Sequence, residues 1–145
     1  MALQRVVDDV DFFVSDKPFD SERDGFYVGR WVGPKIDNQG LINLRLGNPY
    51  KVEGRDRAAA TLKLVDSYLD GTAAGRSWLN HCFDVARAAK QLDQRKLVCH
   101  CNGDPGCHGQ LIARLFNAEP TASDWIVNLR QHRAILVGDE QDSLF

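Results

Sequence analysis

Between residues 46 and 56 the hydrophobic period of this chain changes, and no other feature constrains its fold as much. Before the change, apolar residues come in short β-like runs. Residues 26–32, FYVGRWV, are aromatic and β-branched, as strands prefer, and Gly33-Pro34 stops them. Residues 36–40 read as a turn on Asp37-Asn38 and Gly40. Residues 41–46 alternate Leu41, Asn43 and Arg45 with Ile42, Leu44 and Leu46, the pattern of a half-buried strand, and Gly47-Asn48-Pro49 ends it. After the change the period is helical. Ala58, Leu62, Val65 and Leu69 share one face of a helix over residues 56–69, with Gly71 as its stop. Trp78, Leu79, Cys82, Phe83, Ala86 and Ala89 form the buried stripe of a second helix over 76–92.

The strand pattern then returns. Residues 96–101 read as a short strand, and Leu111, Ile112, Leu115 and Phe116 predict a third helix over 107–117. Ser123 caps a fourth helix, with Trp125, Leu129 and Ile126 inward, and residues 134–137 read as a last strand before a loose acidic tail after Gly138. At the other end, residues 6–14 fit either a strand or a short helix. Residues 15–25, polar and containing Pro18, read as a loop.

Strand-to-helix returns of this kind predict one α/β domain over residues 1–145, a small layered fold with a short central sheet and flanking helices. Parallel strands in it need right-handed crossovers, and ligands bind beyond the carboxyl ends of such strands. A chain of 145 residues buries roughly two-thirds of its unfolded surface, so it needs no disulfide or metal merely to fold. A net charge of −2 argues against indiscriminate coating of nucleic acid and leaves a local basic site open. No apolar stretch approaches the ~20 residues of a membrane span. Carboxylates, rather than a cationic start, precede the first apolar patch, so the chain is expected to be unexported and cytoplasmic, without a membrane partner.

The chemistry concentrates in residues 99–109, CHCNGDPGCHG. Three cysteines crowd into nine residues, while Cys82 sits in a helical stripe and reads as core. Such clustering in an unexported chain points to metal, reactivity or a tight turn rather than a staple. Cys99 and Cys101 lie two apart on the expected strand and point to one face, with His100 on the other. Cys107 and His108 follow the Asp104-Pro105-Gly106 turn at a helix start, where a thiol is drawn toward the thiolate. Three readings fit. In the first, Cys99, Cys101, Cys107 and His108 are zinc ligands, though C-x-C-x5-C-H is not the usual paired knuckle and adjacent ligands must turn toward one ion. In the second, Cys107 or Cys101 is a nucleophile or anion contact, with His108 or His100 carrying the proton; consecutive helical side chains diverge by about 100°, which works against that pairing. In the third, Cys107 packs with Leu111 and Leu115 as core. His81 and His132 read as ordinary surface histidines.

Other polar positions gather at strand ends and helix starts. They are Arg30 after Tyr27-Val28-Gly29, Gly47 and Asn48 before Pro49-Tyr50, and Arg55 and Arg57 leading the first long helix. Guanidinium groups near exposed helical N–H groups suit a phosphate or carboxylate. Trp31 fits either core or, if exposed, a partner anchor.

Taken in order, Tyr-Val-Gly-Arg at 27–30, Leu-Gly-Asn-Pro-Tyr at 46–50, an arginine-led helix with Tyr68-Leu69, Leu-Val-Cys-His-Cys at 97–101 and Pro-Gly-Cys-His-Gly at 105–109 resemble the domain-of-unknown-function 4326 family, found in bacteria, phages and some eukaryotic genomes. The resemblance covers residues 26–117 and makes 118–145 a helical extension. His100 stands where the family carries tryptophan, Tyr50 where it carries phenylalanine, and the 102–104 spacer is slightly longer. It implies that Arg30, Asn48, Cys99, Cys101, Cys107 and His108 matter, and it names no reaction. The leading expectation is an enzyme or binding domain for a phosphorylated ligand, a nucleotide or nucleic-acid component. Cys101, Cys107 and His108 would be its reactive groups, and Arg30, Gly47, Asn48, Arg55 and Arg57 its contacts. The rival is a zinc-stabilised interaction module of phage-type accessory function, without catalysis, docking on a protein partner in the host cytoplasm.

Overall fold

A computed structural model describes residues 11–29, 36, 39–50, 56–99, 106–118 and 121–138. Its frame is a parallel sheet of four short strands, β1 (Phe13–Val14), β2 (Phe26–Tyr27), β3 (Ile42–Asn43) and β4 (Lys96–Val98). The order is β1-β4-β2-β3, with Phe13 opposite Lys96, Leu97 opposite Phe26, and Phe26 opposite Ile42. Among the described residues, four α-helices of ten or more residues pack with it: α1 (Arg57–Leu69), α2 (Ala73–Ala89), α3 (His108–Asn117) and α4 (Ala122–Leu136). The domain is therefore α/β, and no described helix is long and apolar enough to cross a membrane.

Side chains alternate across the sheet and divide the core in two. Phe26, Val28, Leu97 and Cys99 point to one face and join the buried residues of the helices, among them Leu64, Trp78, Leu111 and Trp125. Tyr27 and Val98 point to the other face, where Phe19, Ile36 and Leu41 close a smaller cluster. The two central strands are thus apolar on both faces, as parallel strands usually are. The edge strands are not, and Phe13 and Ile42 are each 49% exposed.

Long-range polar contacts tie the ends together. The Phe12 N–H donates to Asn117 Oδ1 at 2.7 Å, and Asn117 Nδ2 donates back to the Phe12 carbonyl at 3.0 Å. Beside this clamp the Phe12 and Phe116 rings meet edge to face at 5.0 Å. Lys96 on β4 pairs with Glu22 at 3.0 Å and Asp24 at 2.6 Å, anchoring the segment before β2. Burial pushes the Glu22 carboxyl up, but its hydrogen bonds and the Lys96 charge outweigh burial and hold it below the usual range.

Several elements differ from the sequence reading, each for a physical reason. Residues 41–46 do not alternate cleanly, since Leu41 and Leu46 are buried while Ile42 is exposed. β3 is an edge strand that pairs over two residues, and Arg45 then turns left-handed (φ 57°), which breaks the phase. The inner face of α1 carries Ala60, Thr61, Leu64, Val65 and Ser67, so of the predicted stripe only Val65 is buried. Polar side chains occupy that face because they have partners there. Thr61 Oγ1 donates to the Gly106 carbonyl at 2.8 Å, and Ser67 Oγ accepts from the Tyr50 hydroxyl at 2.8 Å. α2 begins three residues earlier than expected, capped by Thr72.

The C-terminal end needs two corrections. Residues 134–137 are not a strand: α4 runs on through Leu136, and its cap is Thr121, whose Oγ1 accepts from the Asp124 N–H, rather than Ser123. His132 is not a surface histidine. It lies three residues after Leu129 and seven after Trp125, on the stripe that α4 turns inward, and it is 4% exposed. Cys82 is core, as read, and fully buried; burial alone pushes its thiol up.

Candidate functional site

The site forms where β2 and β4 end. The ladder continues one residue past the strands, with the Val28 N–H donating to the Val98 carbonyl at 3.0 Å. Cys99 follows directly and points to the helical face. Across from it, Gly106 brings the chain back. A Cβ on Gly106 would lie 2.9 Å from the Ala58 backbone nitrogen, so only glycine lets this turn seat on the start of α1. At Gly29 a Cβ would press on the Tyr27 hydroxyl at 2.6 Å, so the buried Tyr27 ring would have to shift.

Cys107 is the N-cap of α3, with extended backbone (φ −68°, ψ 144°), and its Sγ accepts from the Gly109 N–H at 3.4 Å. This overturns the expected divergence of Cys107 and His108. The 100° rule applies inside a helix, and a cap residue is outside it, so the two side chains converge. Cys107 Sγ lies 3.4 Å from Cys99 Sγ and 3.8 Å from His108 Nδ1. One donor atom from each of the three side chains falls within 4.8 Å of the others, and all three residues are buried.

The histidine is oriented by the backbone. His108 Nε2 lies 2.6 Å from the Val28 carbonyl oxygen. A carbonyl can only accept, so Nε2 carries a proton, and in the neutral ring Nδ1 would turn its lone pair toward the thiols. An imidazole held through its other nitrogen by a carbonyl is the usual arrangement of a metal-ligating histidine. The two spacings from Cys107 come near those of a zinc site, while Cys99 and His108 lie within 4.8 Å of each other. Bonds of 2.3 Å to sulfur and 2.0–2.1 Å to nitrogen in a tetrahedron place sulfurs about 3.8 Å apart and sulfur about 3.6 Å from nitrogen.

The other sequence candidates separate. Gly47 and Asn48 belong to a turn built into the fold. Asn48 Oδ1 accepts from the Tyr50 N–H at 2.9 Å, and Trp78 Nε1 donates to the Leu46 carbonyl at 3.3 Å. Arg57 opens α1, beside the Ala58 contact with Gly106, so it stands at the same end of the domain as Cys107. Arg30, Trp31, Arg55, His100 and Cys101 lie outside the described residues.

Sequence reasoning missed the Val28 carbonyl and the Gly106 seat. The first is backbone and leaves no mark in residue type. The second leaves only a glycine in a turn.

No curated protein and no solved structure matches this chain. A family model, Domain of unknown function (DUF4326), matches residues 15–118, which include Cys99, Cys107, His108, Val28 and the described helices α1, α2 and α3. The chain belongs to the domain-of-unknown-function 4326 family.

Proposed function

We propose that this is a zinc-binding domain, with Cys99, Cys107 and His108 holding the ion at the carboxyl edge of the sheet. One observation carries the reading: two thiols and an imidazole nitrogen lone pair converge on one buried point. Burial of all three favours a structural ion over a catalytic one, since a catalytic zinc keeps an open position. The sequence offers Cys101 as a fourth donor. The ion would join α3 to the ends of β2 and β4, and so stabilise the surface on which a partner docks.

The phosphorylated-ligand reading keeps one supporting observation. The first turn of α1 meets the turn that leads into α3 at the Ala58–Gly106 contact, with Arg57 leading α1, and helix starts attract anions. That ligand would sit outside the ion rather than replace it.

Elemental analysis of the purified protein, paired with thiol titration under native conditions, tests the proposal. The expected result is about one zinc per chain and thiols protected until the metal is chelated. A metal-free protein that stays metal-free in zinc-supplemented buffer, with a thiol that reacts at once, would overturn it and move a nucleotide screen to the front.

A further inference from the structure

On the face of α3 opposite His108 lies a cleft of about 580 Å³, closed on its other side by α4. Its walls include Gln110, Ala113 and Arg114 from α3, and Asn128, His132 and Ile135 from α4. Two features mark this open cleft. His132 is 96% buried, yet neither ring nitrogen has a hydrogen-bond partner among the described residues. Both nitrogens are themselves buried, so a ligand group recovers the free energy that such an orphaned group costs only as the ring turns toward the cleft. Arg114 is the one charged side chain among the described lining residues, and no carboxylate faces it there. One of its five donors goes to Gln131 Oε1 at 3.2 Å. We infer that this cleft binds a small organic anion, its carboxylate or phosphate on Arg114, its polar edge toward Gln110, Asn128 and His132, and its apolar body on Ala113 and Ile135. The volume lies in the range of ordinary small-molecule sites.

The test is an NMR titration of the whole ¹⁵N-labelled protein with adenosine 5′-monophosphate and with benzoate, against adenosine and benzyl alcohol as uncharged counterparts. The expected result is saturable shifts at Gln110, Asn128 and their neighbours from at least one anion, with the better anion naming the head group. Arg114→Gln should weaken that binding roughly tenfold or more. If that variant fails to fold, Asn128→Leu serves, with the same loss expected. Four results would overturn the inference. They are no saturation by either anion up to about 10 mM, equal shifts from the uncharged pair, binding that survives the substitution unchanged, and shifts confined to the Arg57 end of α1.

Discussion

His108 and His132 are both buried histidines on helices that pack together, and they have opposite surroundings. His108 has a carbonyl on one nitrogen and a thiol beside the other. His132 has no hydrogen-bond partner among the described residues on either nitrogen. Burial alone therefore says little about a histidine's role. The backbone around His108 determines which nitrogen carries the proton and where the lone pair points, which is what a metal ligand requires. His132 is held by packing alone: burial, with the Arg114 charge adding to it, lowers its pKa to about 4.

The contrast can be broken first at the thiols. Cys107→Ser removes the thiol ligand while keeping a hydroxyl that can still cap α3. We expect zinc content to fall to near zero and the melting temperature to drop by on the order of 10 °C or more. Chelation should do the same to the unmodified protein and nothing further to the variant. An equal drop with zinc still bound would remove Cys107 from the site. His132→Leu should leave zinc content untouched.

The seat of the turn comes next. Gly106→Ala places a methyl group against the Ala58 backbone. We expect a loss of roughly 1–3 kcal/mol in urea unfolding and weaker zinc retention, with no change in the pH behaviour of His132. Wild-type stability would show that α1 yields readily there.

The pH prediction sharpens the comparison from the other side. The folded His132 pKa of about 4 lies below the ordinary value of 6.5, so the unfolded chain takes up the proton first as pH falls. Its stabilising contribution is therefore complete above pH 6.5 and is lost as pH drops toward 4. Between pH 7 and pH 5 the wild type should lose roughly 2 kcal/mol that His132→Leu retains. Parallel curves for the two proteins would show that His132 finds a proton partner in solution.

What the sequence revealed, and what it hid, follows the range of the forces involved. The α2 stripe was legible because Trp78, Leu79, Cys82, Ala86 and Ala89 face one apolar core at a helical period. The donor types of the Cys-His segment were legible for a similar reason, since ligand chemistry resides in residue identity. The convergence of Cys107 and His108 was hidden, because it depends on α3 starting one residue later than the apolar pattern suggests. The inner face of α1 was hidden because Thr61 and Ser67 are polar by type and buried by partnership. His132 was hidden because its burial depends on the packing of α3 against α4, which no local window contains.

The strand order carries a consequence for how the chain comes to be folded. Among the described strands β1 has only β4 as a neighbour, and the clamp that completes this edge joins residues 105 positions apart, Phe12 and Asn117. β2 and β3 can zip together early, but β1 has nothing to pair with until most of the chain has left the ribosome. Closing so long a loop is a slow step, and until then Phe12 and Phe13 are bare. The earliest of the described strands is thus among the last to be placed, which gives a chaperone that binds around Phe12 and Phe13 the longest opportunity to act on this protein.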